Sequence, residues 1–321
     1  MNVMTAGQQM FVIFLLMMAG FLCQRRGLID SSGSACLSRL VVNVFNPAMI
    51  FSSVLGNAAV RTEDSLPMLF AVSAGIFIFL IATAGLLSRF VKAAEPEKKI
   101  QHLMYVFGNV GFVGIPVIKA LLGSEKLIYV AVFILEYNLL LYSYGTFLLQ
   151  KKENSRLSLK NLFSRKTLTA LKPCVNMGTL ACAATFIVFL SGFQIPGPLS
   201  DSLMHLANAT TPVSLLVIGV TLGMEKHITA LFTSRSRYIF CFWKLFAIPL
   251  IGAFLLKLLP VSETLCQTYL ILMAMPVGNI NLMLVQQNGM DGNECARTII
   301  LSTLLSVISI PLVVLVYTAF L

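Results

Sequence analysis

Charge is what this chain has least of. Of 321 residues only 11% are Asp, Glu, Lys or Arg, against about a quarter in soluble domains, while 57% are hydrophobic. A soluble fold of this length needs a charged coat, so the deficit points to lipid in place of water. The apolar runs are long and continuous and lack the alternation of a membrane barrel, which argues for helices. No phosphate-binding loop interrupts the polar segments, so an ATP-driven motor is not expected. The seven cysteines, Cys23, Cys36, Cys174, Cys182, Cys241, Cys266 and Cys295, form no CxxC pair and have no histidine at metal spacing. They read as small apolar packing residues, and no disulfide framework, metal or cofactor is implied. His102, His205 and His227 make no HExxH, and His102 and His227 read as loop histidines. Intramembrane enzymes need a nucleophile, paired aspartates or an Asp-rich motif. Here Asp30, Glu63, Asp64, Glu95, Glu97, Asp201 and Asp291 fall in loops, so no enzyme is expected. A membrane receptor or an intramembrane enzyme without transport remains the competing class.

What the chain has instead is apolar length. A bilayer core ~30 Å thick needs about 20 apolar residues per helix. Ten stretches fit: 4–24, 34–56, 66–89, 99–122, 126–149, 173–192, 199–222, 237–258, 262–287 and 296–320. The expectation is an all-α polytopic membrane protein. The first stretch does not read as a cleaved signal, since Met1 to Gln9 carry no Lys or Arg while Arg25 and Arg26 follow it.

The net charge of +10 is distributed between helices with no nucleic-acid motif around it, so no nucleic-acid partner is expected. With the N-terminus outside, one side collects Arg25, Arg26, Arg89, Lys92, Lys98 and Lys99. The same side takes the basic run from Lys151 to Lys172, then Lys226, Arg235 and Arg237. The other holds little beyond Arg61, Lys126 and Lys257. The positive-inside rule then puts both termini outside a cell membrane and makes 150–172 a basic cytoplasmic linker. Leu157 to Leu168 could form an amphipathic surface helix within it. That linker divides the chain into 1–149 and 173–321, five stretches each. An odd number forces the second half to enter the bilayer in the opposite orientation, as in the inverted repeats of secondary transporters.

The halves echo each other where they are interrupted. Asn46-Pro47 and Thr211-Pro212 stand 165 positions apart. The same offset carries GNVGFVGIP, Gly108 to Pro116, onto MPVGNIN, Met275 to Asn281, with Gly111 on Pro276 and Pro116 on Asn281. Proline removes a backbone donor and clashes with the preceding turn, and glycine permits unwinding. Unwound backbone in hydrocarbon survives only where protein, water or a ligand satisfies it. Breaks at corresponding depths therefore point to a binding site made by Asn109, Gly111, Gly114, Pro116, Pro276, Gly278, Asn279 and Asn281. An amide both donates and accepts, and half-helices starting after breaks near Pro116 and Asn281 would aim positive ends at a carboxylate.

GNVGFVGIPVIKALLG in the fourth stretch and MPVGNINLMLVQQNGMD in the ninth resemble the matching segments of the auxin efflux carrier family. Asn46-Pro47 and TPVSLLVIGVTLG, Thr211 to Gly223, resemble it too. That family is part of the bile acid/auxin/arsenite transporter superfamily. The resemblance implies ten helices, with a scaffold of helices 1, 2, 6 and 7, a mobile unit of 3–5 and 8–10, and broken helices 4 and 9 crossing beside the substrate. It implies a small organic anion as substrate, dicarboxylates such as malate and malonate in the bacterial members. For this chain a mono- or dicarboxylate is expected, and uptake against a negative-inside potential would call for a coupled proton or sodium. A homodimer is left open. This chain has Asn281 where plant members have a second proline, and no acidic residue within 66–89, which speaks against auxin itself.

Single residues complete the reading. Glu136 is a mid-span carboxylate in LEYNLLLYSYG and the candidate coupling group; the alternative is a neutral glutamic acid packed beside Asn138. Lys244, Lys119 and Arg39 are expected to snorkel toward polar surroundings. The sequon Asn208-Ala209-Thr210 falls inside the seventh stretch and is expected to be silent.

Overall fold

The computed structural model describes residues 3–52, 55, 63–91, 95–149, 177–224 and 232–320. The expected linker over 150–172, with its surface helix, and His227 lie outside them. The described residues are almost all helical, and the single β-type pairing among them is an isolated bridge between Gly108 and Val277.

In chain order the helices are α1 (Val3–Arg25), α2 (Ser31–Phe51), α3 (Leu66–Arg89), α4 (Glu95–Val106), α5 (Val110–Leu122) and α6 (Ser124–Leu149). The second part holds α7 (Met177–Ser191), α8 (Gly197–Met224), α9 (Arg235–Lys257), α10 (Glu263–Met273), α11 (Asn279–Gln287) and α12 (Asn293–Phe320). Six of them, α2, α3, α6, α8, α9 and α12, are long and apolar enough to cross a membrane. Two expected spans are each cut in two: 99–122 becomes α4 and α5, and 262–287 becomes α10 and α11.

Proline shapes three of the helices, α2, α5 and α9, through a shared device. Residues Val41–Phe45, Val110–Gly114 and Trp243–Ala247 form π-helical turns, and Pro47, Pro116 and Pro249 each follow two residues later. A proline has no N–H and its ring collides with the carbonyl four residues back, here Asn43, Phe112 or Leu245. Each of those carbonyls lies within the widened turn, which opens the helix enough to keep the chain running. Thus Pro116 sits inside a continuing helix rather than at its break.

Helices α1 and α8 cross with their backbones in close contact. A Cβ on Gly20 would overlap the Leu216 carbonyl, and one on Gly219 would overlap that of Met17. Small residues at such a seam let two backbones touch, which is how helices gain packing energy in lipid. Close by, the Thr210 hydroxyl of α8 donates to the Phe45 carbonyl of α2 at 2.8 Å, across the same separation of 165 residues.

Candidate substrate site at the broken crossing

The two interrupted spans meet at their gaps. Residues 107–109 and 276–278 run antiparallel and exchange hydrogen bonds: Asn109 N donates to Pro276 O at 2.6 Å, and Gly278 N donates to Phe107 O at 3.2 Å. The pairing of Gly108 with Val277 lies four residues, about one helical turn, beyond the 165-residue offset read from the sequence. Close approach here needs glycine. A Cβ on Gly278 would stand 2.9 Å from the Gly108 carbonyl oxygen and 3.4 Å from the Tyr137 hydroxyl.

Several other backbone groups freed by the breaks find side chains. Tyr137 donates its hydroxyl to Gly108 O at 3.0 Å from α6. Val277 N donates to the Ser302 hydroxyl of α12 at 3.1 Å. Asn281 Nδ2 donates to Phe107 O at 2.7 Å and to Gly278 O at 2.8 Å. The carbonyl released by Pro116, Phe112 O, accepts from Ser214 Oγ of α8 at 3.2 Å. This accounting explains how non-helical backbone persists among apolar spans.

Lys244 belongs to the same arrangement. It does not snorkel: its side chain is 1% exposed, and Nζ donates to the Tyr105 carbonyl at 2.8 Å in the last turn of α4. The end of a helix presents unpaired carbonyls and the negative pole of its dipole, so a cation there is favourable. His102 also departs from expectation. It lies in α4, buried, with Nε2 2.7 Å from the Tyr144 hydroxyl, and is no loop residue. In both cases burial is decided by which face of the helix packs inward, which the spacing of residues did not reveal. Lys119 stays near the surface and donates to Asn208 Oδ1 at 2.8 Å, so the sequon asparagine, inside α8, bonds across to α5.

The half-helices begin earlier than expected. Asn109 caps the π turn that opens α5, its Oδ1 accepting from Phe112 N at 3.2 Å, and Gly278 precedes α11. Of the residues singled out, Asn109, Pro276, Gly278 and Asn281 make the crossing itself. Asn279 is the first residue of α11 and borders a cavity of about 20 Å³ with Met17, Gly219, Thr221 and Thr303. Gly114 packs on Met275: a Cβ there would be 3.3 Å from its Cγ. Gly111 lies in the π turn, where a Cβ would be 3.0 Å from Asn46 Nδ2. Pro116 stands a turn further on. Glu136 faces elsewhere than its neighbour Tyr137; its Oε2 is buried without a hydrogen-bond partner. The Ser73 hydroxyl is close by, yet neither atom completes an ordinary hydrogen bond.

Three amides at the crossing keep an unmet polar atom: Asn109 Nδ2, Asn281 Oδ1 and Asn46 Oδ1, on residues 4%, 0% and 8% exposed. Asn46 was not among the residues assigned to the site from sequence. Its signal was present all the same, as a polar residue before a mid-span proline.

The chain ends of these spans differ. At one end Glu63 and Asp64 lace three elements together. Asp64 accepts from Ser262 N at 3.0 Å and from the Ser262 hydroxyl, while Glu63 accepts from Thr264 at 2.8 Å and Lys126 at 3.3 Å. The Thr264 hydrogen bond and then the Lys126 ammonium hold the Glu63 carboxyl below its ordinary range. At the other end a cavity of about 910 Å³ opens, bounded among others by Glu97, Tyr105, Arg237, Trp243, Asp291 and Glu294.

The family model for membrane transport proteins matches residues 5–314. The chain belongs to that family. Its relatives are distant. A protein of Rhizobium meliloti named "Putative malonate transporter" is 26% identical over 307 residues, covering 92% of this chain and 91% of the relative. A protein of Methanothermobacter thermautotrophicus named "Uncharacterized transporter" is 23% identical over 306 residues, 94% of each. "Uncharacterized transporter YfdV" of Escherichia coli K12 is 23% identical over 223 residues, 67% of this chain and 68% of the relative. Family membership and the apolar helices together make this a multi-pass membrane protein of transporter type.

Proposed function

We propose that this chain is a secondary transporter that moves a small organic anion, a mono- or dicarboxylate, across the cell membrane by alternating access. The observation that carries the reading is the crossing of two interrupted spans, each half-helix starting there beside buried amides with an unmet atom. Half-helix starts at Val110 and Asn279 aim positive poles at the gap, which suits a carboxylate. Lys244 adds a buried amine within a few residues of it. The malonate named for the Rhizobium relative falls in the same chemical class.

In this reading the ten spans form two inverted five-helix repeats, 1–149 and 173–321, joined by the cytoplasmic linker 150–172. Both termini are outside. The large cavity then opens toward the cytoplasm, and the laced end closes the outer side. Import of an anion against a negative-inside potential costs ~2.3 kcal/mol per charge per 100 mV, so uptake needs a coupled proton or sodium while export does not. Glu136, with its partnerless Oε2, is the side chain we assign to a coupled proton.

The test is uptake of a panel of radiolabelled mono- and dicarboxylates into proteoliposomes, with and without a pH gradient. The reading expects saturable accumulation of at least one of them. A protein that folds and reconstitutes but moves none of the panel in either direction contradicts it.

A further inference from the structure

We propose that the crossing takes its substrate as a singly protonated dicarboxylic acid, with one carboxylate and one carboxylic acid group on the same small molecule. This rests on the organic-anion reading above and narrows it.

The argument is one of unmet donors and acceptors. The orientation of each central amide is fixed by its own hydrogen bonds. Asn109 uses Oδ1 to accept from Phe112 N, so the unmet atom is the donor Nδ2. Asn281 uses Nδ2 to donate to Phe107 O and Gly278 O, so the unmet atom is the acceptor Oδ1. Turning either amide over would set like against like. Both residues are engaged with the same three-residue stretch, Asn109 being its last residue and Asn281 bonding to its first. Asn46 Oδ1 adds a second unmet acceptor from α2.

A fully ionised dicarboxylate offers acceptors only. It satisfies Asn109 Nδ2 and the half-helix starts, but it sets a carboxylate oxygen against Asn281 Oδ1. A carboxylic acid group instead donates its O–H there, while its carboxylate partner goes to Asn109. The ligand then carries one negative charge and its own proton. That proton is taken from water at one face and returned to water at the other, so nothing else is consumed. A proton on the ligand and a proton on Glu136 are separable, because Glu136→Gln removes only the second.

The groups near the crossing that titrate or bear charge are Lys244 on Tyr105 O, Tyr137 on Gly108 O, and His102 with Tyr144, with Glu136 on another face of the Tyr137 helix. Their titration would change the rate for every ligand alike, so the experiment needs a ligand without a second ionisation. Malonamate is one: it pairs a carboxylate with an amide N–H donor at any pH. Malonate monomethyl ester has the carboxylate and no donor.

The experiment measures initial malonate uptake by the wild-type protein in proteoliposomes, with equal pH on both faces and constant total malonate. Above the second ionisation of malonate the rate should fall about tenfold per pH unit, following the singly protonated form. Malonamate should inhibit equally across that range, and at least about tenfold better than the ester. A malonate rate that is flat or rises with pH, or an ester equal to malonamate, overturns the proposal while leaving organic-anion transport intact. If malonate and both analogues neither enter nor inhibit while another anion of the panel is carried, the proposal also fails and the broader reading stands.

Discussion

Two crossings in this molecule bring backbones into contact, and they do so in opposite ways. Where α1 meets α8, both helices are intact and every backbone bond stays within its own helix; glycine at 20 and 219 only removes side-chain bulk. Where α4–α5 meets α10–α11, both helices are open, and the backbone bonds are traded between chain segments and handed to Tyr137, Ser302 and Asn281. Among the described residues the first crossing leaves a single polar atom unmet, Gln24 Oε1 against Gly223 at one end of the seam. The second leaves both a donor, Asn109 Nδ2, and acceptors, Asn281 Oδ1 and Asn46 Oδ1, unmet, the combination that a polar ligand can satisfy. Glycine at a close contact is therefore ambiguous until the fate of the backbone hydrogen bonds is known.

Substitutions separate the two kinds of contact. The largest loss should come from Gly219→Val, which drives a branched side chain into the Met17 carbonyl: the folded protein should largely disappear from detergent extracts, as size-exclusion yield would record. Wild-type yield from that variant would mean the α1–α8 seam is loose. Next, Asn281→Ala removes both side-chain bonds to the crossing, an expected loss of about 1–3 kcal/mol together with transport. A thermal midpoint equal to wild type would show that the crossing does not depend on this amide. Lys244→Met replaces a buried cation with an apolar chain of similar length. It should abolish transport while leaving the thermal midpoint within a few degrees, since an apolar replacement leaves no stranded charge. Active transport by this variant would remove the cation from the account. The smallest effect is expected at the laced end. Glu63 has its carboxyl held below its ordinary range, so its contribution is complete above that range and is lost as pH falls through the lowered value. Being half exposed, it should shift stability by less than about 1 kcal/mol, and Glu63→Gln should flatten the acid limb of a melting curve. An unchanged acid limb would mean the Lys126 and Thr264 contacts contribute nothing measurable.

Much of this was legible in the residues. The apolar lengths gave the helical membrane class, and Gly108 to Pro116 with Met275 to Asn281 marked the two spans that open. The place of opening was less legible. Pro116 looks like a break because it lacks an N–H, yet the π turn before it absorbs the clash and the helix runs through; the gap lies where Gly108 and Val277 pair, a contact between residues far apart in sequence. Offset arithmetic between halves carried the register only to within a turn, because the interruption itself uses residues that a helix would not. Burial of Lys244 and His102 escaped for a related reason. A charge near a helix end reads the same whether its face meets lipid or protein, and only packing decides.

The central claim is that the unmet donor at the crossing holds the substrate, and Asn109→Ala tests it most directly. Its one side-chain bond is to Phe112 N at 3.2 Å, so the variant should still fold. Initial uptake of radiolabelled malonate, at matched amounts of reconstituted protein, should fall at least about tenfold, the loss of one charge-assisted hydrogen bond. Wild-type KM and maximal rate in that variant would place the substrate somewhere other than the crossing.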